Sequence, residues 1–232
     1  METIDTNTTF DSPLFHALTR DAVNRCNGKG DFDAITAIIL SCTSLEAFLN
    51  ELAQYACTEA KGDRLFEVLG DSLKNAVDEW KSPLEKYDKA WAILHGDSIN
   101  KGQGVRQKLK TLFDLRNGLV HAKAEETSIV IDPSVESPEG FDVGVWLGQI
   151  RELYCLPKFV KALQSDGIVE KEPQDERWVN RICDKRVAEW AFKLVAAAAE
   201  QLISPLQLKT DFYQRLMEQS LAGYEARKSK HA

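Results

Sequence analysis

The chain has 232 residues, with 29 Lys+Arg against 36 Asp+Glu and a formal net charge of −7. That length suits one domain with an elaboration, and ten Phe, five Trp and five Tyr exclude a disordered chain. Only 13 Gly and 7 Pro exclude collagen-like and low-complexity classes, and a sequence pI of about 5.2 excludes a uniformly basic nucleic-acid coat. Any nucleic-acid contact must therefore come from a local patch.

Helical periodicity dominates the chain. Ser12-Pro13 forms an N-cap and first-turn pair that opens a helix running to the Asn27-Gly28-Lys29-Gly30 break. Asp31 or Asp33 starts a long second helix, with Ile35, Ile38, Ile39, Cys42, Leu45, Leu49 and Leu52 at i, i+3, i+4, i+7 spacing. A third helix carries Leu65, Phe66, Leu69, Leu73, Val77 and Trp80. Ser82-Pro83-Leu84-Glu85 reads as a capping box, and it restarts a helix through Leu94 with Gly96 as its C-cap. After the polar loop 97–104, Val105, Leu109, Leu112, Phe113, Leu119 and Val120 mark another helix.

Around 125–145 the pattern changes. Thr127 to Ile131 is a short β-favouring run, and Pro133, Pro138 and Gly140 follow it. An irregular insertion with a short strand pair is expected there, set into a helical frame. Helical periodicity resumes over Trp146 to Gln164, pauses at Lys171-Glu172-Pro173, and returns from Glu176 to Ile203 as one buried closing helix. An amphipathic segment from Leu206 to about Tyr224 precedes a basic tail over 225–232. The expected fold class is all-α: a helical bundle with an irregular insertion around 125–145.

Five cysteines, Cys26, Cys42, Cys57, Cys155 and Cys183, form no CxxC pair, and their odd number suggests free thiols in a reducing compartment. Cys42, Cys57 and Cys183 sit in apolar-periodic stretches and are expected to be buried. The polar N-terminus is neither a secretory signal nor a transit peptide. No apolar run approaches the ~20 residues of a membrane span, and the nearest, Ala191 to Ala199, contains Lys193. A soluble, cytoplasmic protein is expected.

Chemistry concentrates in Leu115-Arg116-Asn117-Gly118-Leu119-Val120-His121. On an ideal helix Asn117 and His121 lie about 40° apart, whereas Arg116 and His121 lie about 140° apart. A guanidinium binds phosphate in a fork and stabilises developing charge. An imidazole exchanges protons near neutral pH. Without a carboxylate cluster, the pair favours metal-independent attack of a ribose 2′-hydroxyl on its neighbouring phosphate. The same two residues near a helix end also serve simply to solvate it or to bond a carbonyl. Gly118, costly inside a helix by roughly 0.5–1 kcal/mol, implies close approach of another helix or of a ligand.

The Arg116-Asn117-Gly118-Leu119-Val120-His121 stretch resembles the Arg-x(4–6)-His signature of HEPN domains. The upstream Leu40 to Leu52 run, with Glu46, is similar to the acidic-residue-bearing early helix of many members. The resemblance covers about residues 31–124, with the 176–203 helix completing the bundle. It implies one HEPN-like domain over 1–232 that forms a homodimer around a shared RNA-cleaving cleft. The implied activity is a metal-independent endoribonuclease of toxin–antitoxin or antiphage-defence type, with no cofactor. Its partners would be an RNA substrate and an antitoxin or regulatory protein. The alternative is a non-catalytic HEPN module for dimerisation and for binding RNA or protein. Carried over, Arg116 holds the phosphate, His121 transfers protons, and Asn117 positions both. Glu46 and Asn50, at i and i+4, are expected to reach Arg116, with Glu46 as its ion-pair partner. The toxin subfamily paired with nucleotidyltransferase antitoxins has a Tyr two positions after its His. Here Lys123 stands there, which sets this chain apart from that subfamily.

Charge distribution adds a candidate RNA face. Lys101, Arg106, Lys108, Lys110, Arg116 and Lys123 share residues 101–123 with the single acid Asp114, whereas 125–150 holds six acids and no Lys or Arg. Such blocks are also ordinary solvated faces. Gly102-Gln103-Gly104 reads as a flexible connector, and His16 and His95 have no partners in metal-ligand spacing. No zinc, EF-hand, HExxH or GxSxG pattern appears.

Overall fold

The computed structural model describes residues 12–59, 63–102, 104–121, 127–131, 150–154, 156–171 and 176–206. The first helix, α1 (Ser12–Arg25), begins at the Ser-Pro pair. Its N-terminus is tied down from a distance: the Ser12 backbone N–H donates to Glu51 Oε1 at 2.7 Å, and the Ser12 hydroxyl donates to Glu51 Oε2. A carboxylate there satisfies orphan N–H groups and complements the positive end of the helix dipole. Past the break, Asp31 accepts from the Asn27 and Asp33 backbone N–H groups, both at 2.9 Å, and opens α2 (Asp33–Glu59).

Two further helices follow local capping chemistry. Asp63 caps α3 (Arg64–Asp78), accepting from the Leu65 N–H. The Ser82–Glu85 capping box is formed in full at the start of α4 (Pro83–His95), and Gly96 ends that helix at φ 75. α5 spans Gly104–Val120. After the insertion come α6 (Lys158–Ser165), the short α7 (Trp178–Ile182) and α8 (Lys185–Ile203), then a 3₁₀ turn over Ser204–Leu206.

The bundle is all-α, with α2 at its centre, packed against α1, α3, α4, α5 and α8. Ile38, Leu45 and Leu49 of α2 are sealed from solvent with Leu69, Leu73, Tyr87, Leu109, Leu112 and Leu115. A smaller cluster of Ala22, Val23, Cys26, Ala34, Ala37 and Ala188 closes the α1 side, where small side chains allow close approach. Gly70 serves the same purpose between α2 and α3: a Cβ there would lie 3.0 Å from the Cys57 backbone nitrogen. Over Asp33–Thr58, α2 is long and apolar enough to cross a membrane, with mean hydropathy 1.3, and half of that window is buried in the bundle. The most membrane-like stretch is therefore α2 and not Ala191–Ala199, because Ser and Thr interrupt its apolar run while its Ile, Leu and Ala keep the mean high.

Several sequence expectations change. Helical periodicity over Trp146–Gln164 misreads the backbone, because Ile150–Tyr154 is a strand (β2) antiparallel to β1 (Thr127–Ile131), with Ile129 opposite Glu152. Helix begins only after Pro157, at Lys158. The expected closing helix is broken at Cys183-Asp184. The Cys183 carbonyl accepts from Gly30 N at 2.5 Å and Asp31 N at 3.3 Å, while the Asp184 side chain caps α8 through Arg186 N. Trp80 is no core residue of α3: it sits beyond the helix at φ 55 and is 93% exposed. Against expectation Cys57 is exposed, whereas Cys42 and Cys183 are buried free thiols as expected, and Cys26 is buried as well. Cys155, the rest of the insertion, the amphipathic segment beyond Leu206 and the basic tail lie outside the described residues.

Candidate functional site

The last turn of α5 carries the Arg116–His121 stretch. Burial of Leu112, Phe113 and Leu115 orients this turn and leaves Arg116 half-buried, with Asn117 and His121 exposed. Gly118 has a structural reason. A Cβ there would lie 2.8 Å from Phe159 Cζ and 3.1 Å from Cε1, with Trp178 at 3.6 Å. The close neighbours are thus two aromatic rings from α6 and α7, which pack edge to face with centroids 5.2 Å apart. Of the two expected reasons for this glycine, approach by another element is the one found.

Arg116 Nη1 donates to Asn117 Oδ1 at 3.1 Å, while its Nε is buried without a partner among the described residues. Asn117 also accepts, through its carbonyl, the His121 backbone N–H at 2.9 Å, which carries the helical pattern to His121. The sequence-predicted trio is therefore linked through Asn117. The two chemically active side chains are not bonded to each other, and among the described residues the His121 ring has no partner. Beneath Arg116 lies Cys42 of α2, whose thiol donates to the Leu112 carbonyl at 3.9 Å. Burial pushes that thiol up to about 12, with Arg116 pulling it down and Glu46 pushing it further up. Both charges thus lie within electrostatic reach of one buried sulfur.

Glu46 and Asn50 depart from expectation. No ion pair within 4.0 Å joins Glu46 to Arg116 among the described residues, although both flank Cys42. Asn50 does not reach Arg116 at all. Its Oδ1 accepts from the buried Lys86 ammonium at 2.9 Å. A buried cation needs an acceptor, and α4 presents Lys86 to α2 one turn beyond Glu46. Sequence reasoning missed Lys86 because the pairing spans 36 positions and leaves no local signature.

The candidate RNA face also divides. Arg106 is 7% exposed and bonds Asp88 of α4 through Nε and through Nη2 at 3.0 Å, so it is a structural ion pair and not a free phosphate ligand. Lys101 sits 3.5 Å from the same Asp88. Lys110 pairs with Asp114 one turn along α5. Lys108 faces α8, lining a groove with Trp190, and Lys123 lies outside the described residues. At ~100° per residue, Arg106 and Lys110 fall on the His121 side of α5 but are committed to Asp88 and Asp114, whereas Lys108 and Arg116 point to other sides, and Lys108 stands about 20 Å along the axis from His121. They do not make one continuous face with His121.

An open hollow of about 620 Å³ along Asn27–Thr36 contains neither Arg116 nor His121. Among the described residues no group of three or more His, Cys, Asp or Glu could hold a metal ion. Chemically, the α5 terminus offers an incompletely paired guanidinium that can take an oxyanion, an amide that orients it, and an accessible imidazole one turn on. Compared with protein-family models, curated proteins and solved structures, the chain finds no match.

Proposed function

We propose that the protein is a HEPN-type, metal-independent endoribonuclease of toxin or antiphage-defence type that cuts RNA at the cleft of a homodimer. The observation that carries this reading is the half-buried Arg116, whose Nε has no partner among the described residues, set five positions before the exposed His121. A buried guanidinium nitrogen without an acceptor is costly, and a phosphate oxygen would satisfy it. In the proposed step the ribose 2′-oxygen attacks the adjacent phosphorus as its proton is taken up. The bond to the 5′-oxygen breaks and that oxygen receives a proton, leaving a 2′,3′-cyclic phosphate and a 5′-hydroxyl. Arg116 stabilises charge on the phosphoryl oxygens, His121 handles a proton, and Asn117 holds Arg116 in place. Because Arg116 and His121 diverge by about 140° on one helix, the Arg116 that holds the phosphate and the His121 that moves the proton come from two copies of the chain.

That same divergence within one chain favours the second reading, a HEPN module that dimerises and binds RNA or a protein without cutting. RNA cleavage by purified protein in excess chelator, beside folded and dimerising Arg116→Ala and His121→Ala variants, separates the two. Cleavage by the parent that is lost in both variants supports the enzyme. Intact RNA across a mixed pool supports the module, and equal cutting by parent and variants refutes the site.

A further inference from the structure

A groove of about 420 Å³ runs between α5 and α8, remote from the His121 face of α5. Its floor is apolar, formed by Val105, Ile168, Trp190, Leu194 and Ala197. On α8 the lining positions from Arg186 to Ala197 recur at i, i+3, i+4, i+7, i+8 and i+11, so one stripe of that helix is open to the groove. The opposite wall is a single turn of α5, Val105 to Lys108.

Three cations, Lys108, Arg186 and Lys193, ring this floor against one carboxylate, Glu189, in a chain whose net charge is −7. Lys193 is held 3.1 Å from Glu189, and Arg186 is held 2.9 Å from Asp184 and 3.1 Å from Glu170. Lys108 has no partner among the described residues. A free ammonium therefore faces a partly exposed indole across an apolar floor.

We propose that this groove is a nucleotide subsite, taking an aromatic base against Trp190 and its phosphate at Lys108. The volume lies in the range small ligands occupy. An unpaired cation beside an aromatic ring is the combination that holds single-stranded nucleic acid without reading its sequence. An acidic helical peptide fits less well, because the α5 wall offers it only one turn of contact. The occupant is either a free nucleotide or one nucleotide of a single RNA strand, and in the second case the subsite extends the ribonuclease reading above.

The test uses the full chain and a fluorescein-labelled hexa-adenylate carrying 2′-O-methyl riboses. This probe cannot undergo 2′-hydroxyl attack, so binding is scored independently of cleavage and either reading can fail alone. Polarisation anisotropy should show binding that weakens about tenfold or more in Lys108→Glu and Trp190→Leu. Trp190→Phe should retain most of the affinity, and Lys74→Glu on the exposed side of α3 should change it by less than about twofold. Competition by AMP assigns the site to a free nucleotide, and hexamer binding without AMP competition assigns it to a strand. Unaltered hexamer affinity in folded Lys108→Glu and Trp190→Leu overturns the proposal. So does equal loss in Lys74→Glu, or binding of a Glu/Leu-rich helical peptide in place of either nucleotide probe.

Discussion

Replacing Gly118 with alanine sets two effects of opposite sign against each other. Helix propensity alone favours alanine by roughly 0.5–1 kcal/mol. The new methyl would lie 2.8 Å from Phe159 Cζ and 3.1 Å from Cε1, closer than carbon atoms tolerate. The Phe159 ring must retreat, yet its edge-to-face partner Trp178 stands 3.6 Å from the same methyl and leaves little room on that side. Overpacking of this kind costs about 1–3 kcal/mol, so Gly118→Ala should destabilise the fold by about 1 kcal/mol net. Urea unfolding followed by circular dichroism measures it. The Phe159→Leu background supplies the control: with the ring shortened, the same alanine should become neutral or stabilising, a coupling of about 1–2 kcal/mol. Stabilisation of the parent by Gly118→Ala would refute the argument and leave Gly118 available for a ligand.

Three further outcomes follow from the described contacts. Asp88→Ala strips the buried Arg106 of its bidentate acceptor and should cost about 3 kcal/mol; a loss below about 1 kcal/mol in chemical denaturation would show that Arg106 reaches solvent. Burial, and then the charge of Arg20, holds the His16 imidazole down to about 4 from 6.5. The unfolded chain then binds the extra proton first, so stability rises with pH between those values and is lost as pH falls through them. Allowing for partial solvent screening, this amounts to ~2 kcal/mol, and in His16→Phe, beside Phe192, the slope of stability over that window should flatten. Among the described cysteines a thiol reagent near pH 8 should label Cys57 first, because it is exposed, while burial pushes Cys42 up to about 12 and Cys183 up to about 11. Peptide mapping that finds Cys42 or Cys183 modified as fast as Cys57 would contradict the packing of α2 and α7.

Local chemistry was legible along the chain. The Ser82–Glu85 box and Gly96 marked helix ends correctly because each cap needs only residues within four positions of itself, whereas Ser12-Pro13 marked the start of α1 but not its cap, which comes from Glu51, 39 positions away. The spacing of Ile38, Leu45 and Leu49 identified the buried face of α2 for the same kind of reason. The close neighbour implied by Gly118 was legible as a demand, since a glycine inside a helix needs an explanation. Which group made that demand was not, because Phe159 and Trp178 come from elements 41 and 60 positions away.

What only the tertiary structure decided lies in pairings across the chain. The break at Cys183 arises because the 28–31 loop takes the Cys183 carbonyl. Ile150–Tyr154 is a strand because Thr127–Ile131 lies beside it, and five residues of mixed pattern do not choose between periods of 2 and 3.6 on their own. Charge was the least legible quantity. Arg106, Lys108, Lys110 and Arg116 read as one basic run, and each acquired a different environment: a partly buried carboxylate, an open groove, a helical neighbour and a buried thiol. Sequence sets how many charges a helix carries and at what angle. Whether a charge is spent on the fold or left for a ligand depends on which other helix arrives opposite it, and that is settled only when the bundle closes.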